Sequence, residues 1–564
     1  MRPPTASIMT TRHVLTAMSG LMAGMFVLLL SGTIVSTALP VIVADIGGSQ
    51  SDYTWIVTAN LLSMTISTPI WGKLADLVSK KLLIQLALIL FVITTVVAGF
   101  ATNPAWLITF RFLQGIGVGG MMAVAQVVIA DIVSPRERGK YMGIMGAVMA
   151  VAQIGGPLLG GVITDAVGWR WNFFLPVPIA VVAVILIATT LHIKRLPNPV
   201  KPKVDYMGAA LIAASIGTLL VWLSLAGSQF AWDSTTSIIL GVVVGAFIVI
   251  AAIWEIFFAS QPMIPLRLFA QRTFALATIA SISVGITMFG AAVFLSQYLQ
   301  LARGMTPTES GLATIPMVIG SLLTSMGVGF LISKTGRWKP FVIGAAIALI
   351  IGLGLMGTLH YDTPIALVWL YMFLLGVGTG GLMQNLLLVA QNSLPPRQMG
   401  GGTGAVNFFR SLGGTIGVTV LGSMLAIAVK DRIVDGLTEL IPTLQDPACA
   451  PGLETIQAGQ VPAMATLCEP VRLVIEGAYG ESIAWLFVLI APIALVSLLC
   501  VVLLPNTPLS RKTAVQQIEE ELGAQFSDLE PVTIESTEVA DGEPGEPEAV
   551  EGGAEPRERA RGED

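Results

Sequence analysis

Long apolar blocks separated by short polar stretches dominate the chain. Thr16–Val43, Trp106–Val128 and Ser482–Leu504 each hold about 20 residues or more with at most one charge, which is enough to cross a hydrocarbon core of roughly 30 Å at 1.5 Å per residue. The pattern predicts an all-α membrane protein with fourteen transmembrane helices. The predicted spans are 14–41, 54–74, 82–101, 105–131, 141–163, 172–192, 206–227, 236–258, 274–301, 310–332, 340–359, 364–391, 402–429 and 481–504.

Positive charge is concentrated in alternate loops. The loops between carry few basic residues, Arg170 and Arg303 being the exceptions. Because basic loops remain on the cytoplasmic side, an even number of spans places both termini there. We therefore expect a multi-pass protein of the cytoplasmic (plasma) membrane. The basic loops contain Lys73, Lys80, Lys81, Arg136, Arg138, Lys140, Lys194, Arg195, Lys201, Lys203, Arg267, Arg272, Lys334, Arg337, Lys339 and Arg397.

An internal repeat organises these spans. The glycine run 115–120 returns at 376–381, a spacing of 261 residues (376 − 115), and Pro135-Arg136…Gly139 returns at 396–400 with the same spacing. One repeat therefore holds eight spans, of which six recur and two form an insert. Two parallel repeats predict a transporter of two six-helix bundles with its substrate site between them.

This organisation predicts five segments. Residues 1–13 are the cytoplasmic N-terminus, 14–200 the first bundle, 201–260 the two-helix insert and 261–505 the second bundle. A long extracytoplasmic loop, 430–480, carries Cys449 and Cys468, which are either paired in a disulfide or free. The Glu-, Pro- and Gly-rich segment 506–564 predicts an acidic disordered cytoplasmic tail.

Composition narrows the chemistry. Charged residues make up only 12% of the chain, about half the share in soluble domains. The three histidines are scattered and no CxxC occurs, so the sequence predicts neither a metal site nor a cofactor. We also find no nucleophile–base pair or phosphate-binding loop, which argues against an enzyme.

The loop after the second span predicts a conformational latch. Gly72 allows a close helix approach, and Asp76 can accept hydrogen bonds from a helix N-terminus across a bundle interface. Lys80 and Lys81 follow, and a second copy near Gly329 carries Arg337. The competing interpretation is an ordinary basic loop that sets topology.

Polar side chains inside the spans are candidates for a functional site. Arg111, with Gln114 one turn later, lies in the fourth span and Arg410 in the thirteenth, and an intramembrane charge is by default a functional candidate. An adaptable substrate cavity needs a few polar anchors amid apolar surface, although each anchor alone is explained as well by helix–helix hydrogen bonding. The cavity candidates are Ser31, Phe26, Trp55, Asn60, Gln126, Gln153, Gln297, Gln300, Gln384, Asn385, Asn407 and Arg410.

The fifth span contains Gly156-Pro157 and Gly160-Gly161. Proline removes a helix hydrogen bond while glycine admits a close neighbour. The spacing fits a functional kink and a merely structural one equally well. The glycine runs at 115–120 and 376–381 indicate helix contacts and not a nucleotide loop, because no strand precedes them and no Lys-Ser/Thr follows.

With these motifs in place, the chain resembles the fourteen-helix drug:proton antiporters of the major facilitator superfamily, the group that contains quaternary-ammonium efflux pumps. The resemblance spans about residues 14–505 and rests on Thr33–Pro40, Gly72–Lys81, Arg111 with Gln114 and Gly115, the Gly156–Gly161 motif, and Trp169–Trp171 with Pro178. It implies the major facilitator fold and a proton-coupling role for Arg111. The Gly156–Gly161 motif is similar to one shared by antiporters, which implies that the direction of transport is export.

The sequence departs from this family at the first helix, where Ser31 stands in place of the usual aspartate. A proton antiporter needs a titratable group that both sides reach in turn, and serine supplies none. If protons drive transport, Asp45, Asp131 or Glu309 must stand in, or Arg111 must act with a group on the substrate.

The function we expect is secondary active export of amphipathic drug-like compounds by alternating access. One alternative is an exporter or facilitator of lipid-like or cell-envelope molecules without standard proton coupling. Another is a non-transporting sensor or scaffold that acts through its tail, which a tail deletion would disable while sparing a pump. The expected partners are an amphipathic or lipid-like substrate, protons and membrane lipid, with no nucleic acid, for a protein that acts as a monomer.

Overall fold

A computed structural model describes residues 11–47, 50–191, 205–226, 230–259, 262, 264–305, 307–395, 398–440 and 468–509. Over these residues the chain is built from helices, including two π-helical turns (Trp254–Phe258 and Tyr298–Ala302) and a 3₁₀ turn (Leu266–Ala270). The α-helices are α1 (Thr11–Asp45), α2 (Gln50–Leu77), α3 (Lys80–Gly99), α4 (Pro104–Ile132), α5 (Pro135–Val167), α6 (Trp171–Phe174), α7 (Pro176–Thr190), α8 (Tyr206–Leu225), α9 (Thr235–Ile253), α10 (Arg272–Gln297), α11 (Pro307–Ala313), α12 (Ile315–Thr335), α13 (Lys339–Met356), α14 (Ile365–Asn392), α15 (Met399–Leu440) and α16 (Glu469–Leu503).

Within the described residues, 13 helical segments are long and apolar enough to cross a membrane. They coincide with thirteen of the predicted spans, α6 and α7 forming one segment and α11 and α12 another. The predicted span 54–74 lies in α2, which is less apolar because it carries Ser63, Thr65, Ser67 and Thr68. These four side chains are at most 5% exposed, so α2 turns its polar residues towards protein and completes the fourteen helices.

The two halves are assembled by equivalent helix contacts. In the first half, α4 packs between α2 and α3, and a Cβ at Gly115 would lie 2.3 Å from the backbone oxygen of Asn60. In the second half, α14 packs between α12 and α13, and a Cβ at Gly376 would lie 1.9 Å from the backbone oxygen of Met317. Both glycine runs therefore serve as close helix contacts, and only glycine allows this approach.

The two-helix insert lies beside the seam between the halves. α8 packs against α9, and also against α2 of the first half and α15 of the second. Trp222 Nε1 donates to Ser237 Oγ at 2.9 Å, and Trp254 Nε1 donates to the Asp205 carboxylate at 3.1 Å. These two bonds join the two helices of the insert, one near each end of the pair.

The helices flanking the predicted loop 430–480 extend further than expected. α15 continues to Leu440 and α16 begins at Glu469, because Leu437, Val471 and Ile475 pack together as a small apolar cluster beyond the predicted spans. The sequence prediction of a loop over 430–440 and 469–480 was therefore wrong. Cys449, the first ten residues and the tail after Leu509 lie outside the described residues, so the disulfide and the disordered tail stay predictions.

Candidate functional site

A cavity lies at the centre of the molecule between α5 of the first half and α10, α12 and α14 of the second. Its empty volume is about 660 Å³, its open mouth included. Four methionines give it flexible, polarizable walls suited to varied apolar ligands. The lining residues are Gly146, Met149, Gln153, Met288, Ala291, Ala292, Met317, Val318, Ser321, Ser325, Leu375, Thr379, Gly380, Met383 and Gln384.

Two glutamines supply most of the cavity's polar capacity. Gln153 is exposed to the cavity, whereas Gln384 is 2% exposed and donates through Nε2 to Met149 Sδ at 3.5 Å. The Gln384 Oε1 atom has no hydrogen-bond partner among the described residues. A buried acceptor in this state favours a ligand that donates a hydrogen bond.

A chain of hydrogen bonds joins the halves beside this cavity. Gln126 Oε1 of α4 accepts from Asn407 Nδ2 of α15, and Asn407 Oδ1 accepts from the Arg410 guanidinium at 2.5 Å. Arg410 also donates to the backbone oxygen of Met383 at 3.3 Å, a cavity residue. The three side chains, which the sequence predicted only as separate cavity candidates, thus form one unit across the seam.

Replacing Asn407 with leucine is expected to lower the transport rate about tenfold and to reduce thermal stability. The change leaves the buried Gln126 oxygen and Arg410 guanidinium without this partner, at about 1–3 kcal/mol each. The matched control is Asn385→Leu, since Asn385 is equally buried but donates only to Gly381 O in its own helix, at 2.7 Å. Transport and melting of the two variants in the same detergent and vesicles check the prediction; equal behaviour would contradict it.

Arg111 organises a separate network inside the first half. Its guanidinium, 4% exposed, donates to Gln114 Oε1 at 2.7 Å, and Gln114 Nε2 donates to Thr95 Oγ1 at 2.6 Å. Asn60 Nδ2 donates to the Arg111 backbone oxygen at 3.0 Å. The pairing of Arg111 with Gln114 follows their spacing of three residues on one helix.

The other cavity candidates do not line the central cavity. Ser31 is 1% exposed, and its Oγ has no hydrogen-bond partner among the described residues. Gln300 Nε2 donates to Ser296 Oγ at 3.0 Å, one turn earlier in the chain. Phe26, Trp55 and Gln297 are half-buried elsewhere.

The Gly156–Gly161 motif holds α5 against α1. A Cβ at Gly156 would lie 1.9 Å from Thr33 Oγ1, and one at Gly160 would lie 2.8 Å from the Ile34 backbone oxygen. Thr33 Oγ1 donates to the Ala152 backbone oxygen at 3.2 Å. The motif joins two helices of the same half. Gly161 is half-buried, and the Pro157 side chain lies outside the described residues.

The halves meet closely at the end of the molecule that carries Lys73, Lys80, Lys140 and Lys339, here called the basic end. Asp76, at the end of α2, accepts from the backbone N–H groups of Gly400 at 2.7 Å and Gly401 at 2.8 Å. Its carboxylate therefore caps the N-terminus of α15, where the helix dipole favours a negative charge. The structure thus gives Asp76 the geometry that the predicted latch needs.

Two pairs of glycines bring the halves into close contact at the basic end. The second pair repeats the first with the roles of the two halves exchanged. A Cβ at Gly72 of α2 would lie 2.8 Å from Gly400 O of α15, and a Cβ at Gly329 of α12 would lie 2.1 Å from Gly139 O of α5. Gly72 and Gly329 are equivalent in the repeat, as are Gly400 and Gly139. The carboxylate is not repeated, because Ser333 occupies the position equivalent to Asp76.

Arg138 adds a contact between the halves that sequence reasoning missed. It is fully buried and donates to Gln391 Oε1 of α14 at 3.0 Å and to the Ala130 backbone oxygen at 2.8 Å. Gln391 in turn donates to Thr403 Oγ1 of α15 at 3.1 Å. The sequence shows Arg138 only as one charge among several in a basic loop.

The other basic residues of the predicted latch do not make such a contact in this structure. Lys80 pairs with Asp131 at 2.8 Å, and Lys81 donates to the Ala188 backbone oxygen at 2.5 Å, both within the first half. Arg337 has an exposed side chain. Lys80 and Lys81 thus brace their own half, while Asp76 joins the two halves.

The acids proposed as substitutes for the missing aspartate lie towards the ends of the molecule. At the end opposite the basic end, Asp45 accepts from Trp169 Nε1 at 2.9 Å and pairs with Arg170 at 3.2 Å. These two partners lower the pKa of the Asp45 carboxyl, so it stays ionised at neutral pH. Glu309 is exposed, and Asp131 is held by Lys80.

Within the described part of the chain, no group of three or more His, Cys, Asp or Glu side chains is placed to hold a metal ion. The site is therefore one of amides, hydroxyls, thioethers and guanidinium groups. Such groups bind and orient a ligand through contacts and hydrogen bonds.

Comparison with known proteins gives these features a context. The chain is 37% identical over 427 residues to the multidrug transporter protein MdtP of Bacillus subtilis, covering 76% of this chain and 78% of that one. It is 31% identical over 521 residues to the efflux pump dotC of Dothistroma septosporum, covering 91% and 87%.

Solved structures show the same fold. The proton:xylose symporter XylE superposes with a TM-score of 0.53 at 14% identity, covering 90% of this chain and 99% of that chain. The sequence profile of the Major Facilitator Superfamily matches residues 21–418. The fold, the duplicated bundles and the relatives agree with the resemblance seen in the sequence: this chain is a multi-pass membrane transporter, not an enzyme, and it belongs to the Major Facilitator Superfamily.

Proposed function

We propose that this transporter exports amphipathic compounds from the cytoplasm by alternating access. The observation that carries the proposal is a methionine-rich cavity between two halves that are sealed at the basic end by Asp76, Arg138 and paired glycines. With the basic end closed, bound cargo leaves at the opposite end. The names of the relatives, multidrug transporter and efflux pump, support the direction.

The basic end is the cytoplasmic end in this proposal. Lys73, Lys80, Lys140 and Lys339 all lie there, and basic loops remain in the cytoplasm. The protein then lies in the cytoplasmic membrane with both termini inside, and the described conformation is the outward-facing one.

The chemistry of the cavity favours neutral or anionic amphipaths as cargo. Its lining contains amides, hydroxyls and thioethers but no carboxylate, so a cation would be desolvated there without a counter-ion. The Arg410 guanidinium, bonded to the backbone of the cavity residue Met383, adds positive charge nearby. This favours lipid-like or acidic compounds over quaternary ammonium ions.

Proton coupling falls to the Lys80–Asp131 pair in this proposal. Asp131 is 6% exposed and lies at the end of α4, next to the carbonyl groups that Arg138 binds. Asp45 and Glu309 are exposed at the opposite end. Protonation of Asp131 would release Lys80 and loosen the packing of α3 on α4 at the basic end.

The proposal is tested by transport in reconstituted vesicles. Cationic, neutral and anionic amphipathic fluorophores are loaded, and their movement is measured with and without an imposed pH gradient. We expect the anionic and neutral probes to move faster than the cation of equal size, and to accumulate when a pH gradient is imposed. Transport of the cation alone would contradict the cargo class, and movement only down each probe's own gradient would contradict proton coupling.

Gln384→Leu is expected to raise the KM of hydrogen-bond-donating cargo about fivefold, with a smaller change for cargo that has no donor. The substitution removes the acceptor that has no partner in the cavity, a contact with a net contribution of about 1 kcal/mol. Gln300→Leu makes the same chemical change outside the cavity and serves as the control. If both variants shift KM equally, Gln384 does not contact cargo.

A further inference from the structure

A second cavity lies between the two-helix insert and the second half. Its empty volume is about 630 Å³, the opening included, and its lining is almost entirely apolar. We name it the insert pocket. It is lined by Ile212, Ser215, Ile216, Leu219, Ile248, Ala251, Ala252, Glu255, Ile264, Leu266, Phe408, Phe409 and Leu412.

The one carboxylate in this lining is deeply placed. Glu255 is 6% exposed, in the π-helical turn that follows α9. A Cβ at Gly208 would lie 2.9 Å from Glu255 Oε1 and 2.4 Å from Asp205 Oδ2. The Glu255 carboxylate therefore lies beside the first turn of α8 at the edge of the apolar pocket, and its negative charge favours a cationic group. Asp205 caps that turn and accepts from Trp254.

The depth of these carboxylates matches the level of lipid headgroups. Tyr206, Phe257 and Phe258 are 79%, 75% and 67% exposed around them, and exposed aromatic side chains mark the membrane interface. From Ile212 to Leu219 the pocket follows α8 for about 10 Å at 1.5 Å per residue. This is about two thirds of the depth of one leaflet, half of a core of roughly 30 Å.

The pocket faces the bilayer. α9 exposes Ile248, Val249 and Ile250 at 45%, 57% and 50%, so lipid is the neighbour of this surface in a membrane. We propose that the insert pocket holds one acyl chain of a phospholipid whose headgroup carries a primary ammonium, as in phosphatidylethanolamine, and that Glu255 accepts a hydrogen bond from that ammonium. The placement in the cytoplasmic leaflet rests on the orientation given under the proposed function.

A lipid at this position would act on the contact between the halves. Pro265, between the pocket residues Ile264 and Leu266, lies beside Gly401, where a Cβ would be 3.6 Å from Pro265 Cδ and 3.5 Å from Asp76 Oδ2. Phe408, Phe409 and Leu412 belong to α15, whose N-terminus Asp76 caps. An occupied pocket therefore stabilises the closed basic end, since a ligand favours the state it fits best.

The test is the number and kind of lipids that remain bound to the full-length protein in native mass spectrometry. The protein is purified in detergent and exposed to equimolar phosphatidylethanolamine and phosphatidylcholine with the same chains. We expect a roughly tenfold preference for phosphatidylethanolamine, because an ammonium with N–H donors forms a charge-assisted bond that a quaternary ammonium cannot form.

Three variants locate the site. Glu255→Gln should abolish the headgroup preference while an adduct remains, and Ile216→Trp should remove the adduct by filling the pocket. Val249→Trp, on the lipid-facing side of α9 outside the lining, should bind as the parent does. Equal binding of both lipids by the parent, an unchanged preference in Glu255→Gln, or displacement of the lipid by a cationic amphiphile such as dodecyltrimethylammonium at equal concentration would overturn the proposal.

This outcome is separable from that of the proposed function. A loss of lipid preference with normal vesicle transport would refute the lipid site and leave export standing. Lipid selectivity without transport of any probe would do the reverse.

Discussion

Leucine in place of Gly329 is expected to abolish transport while leaving expression and helix content intact. A Cβ at this position would lie 2.1 Å from the Gly139 backbone oxygen, a contact that neither backbone can relieve by a side-chain movement. Overpacking of this kind costs about 1–3 kcal/mol at an adaptable site, which shifts the population of the closed state by roughly 5- to 150-fold. Because α5 and α12 belong to different halves, the cost falls on closure and not on the folding of either bundle.

Gly327 provides the matched control. It lies on the same helix, two residues away, and nothing stands within 4 Å of a Cβ placed there. Gly327→Leu should transport at the parent's rate, measured as initial rates in vesicles at equal protein density. Gly72→Leu, at the equivalent position of the repeat, should resemble Gly329→Leu. Equal activity of the 327 and 329 variants would show that the halves need not close along α5 and α12.

Asp76→Ala is expected to lower transport by roughly 10- to 100-fold. The substitution removes an acceptor from two backbone N–H groups of α15, and hydrogen bonds to a charged group contribute about 1.5–3 kcal/mol. The carboxylate also offsets the positive end of the α15 dipole. Both contributions exist only while α2 and α15 are together, so their loss favours the state that is open at the basic end.

The control for charge is Asp233→Ala, which removes an exposed carboxylate from the insert. Asp76→Asn should retain part of the activity, since an amide oxygen accepts but carries no charge. Cysteine accessibility of Thr403, which faces Gln391 at the seam, should rise in Asp76→Ala and stay at the parent's level in Asp233→Ala. Parent-like transport and accessibility in Asp76→Ala would show that Asp76 does not stabilise the closed basic end.

The helices and the duplication could be predicted from the sequence because both are recorded in local patterns. Apolar blocks of membrane length predict spans, and the glycine runs at 115–120 and 376–381 recur at a constant spacing. The exception to the hydropathy pattern is α2. Its buried serines and threonines make it less apolar than the other membrane-spanning helices. The loop motif Gly72–Lys81 still marks where α2 ends.

The assembly of the site was harder to predict, because it depends on which face of each helix meets the other half. Asp76 was recognised through its motif, but Arg138 looks like any loop arginine until Gln391, 253 residues away, comes within hydrogen-bonding distance. Likewise Gln126, Asn407 and Arg410 are isolated amides and a charge in the sequence, and only helix packing joins them. Ten of the twelve cavity candidates lie outside the central cavity for the same reason.

The central claim is that the basic end opens and closes while cargo is carried. It is tested most directly by pulsed electron paramagnetic resonance distances between spin labels at Lys140 on α5 and Thr335 on α12, in a cysteine-free background reconstituted in nanodiscs. The account predicts two distance populations, a short one that matches the contact of Gly139 with Gly329 and a longer one, with Asp76→Ala shifting weight to the longer and cargo changing their ratio. A single short distance that neither the variant nor any transported probe alters would contradict it.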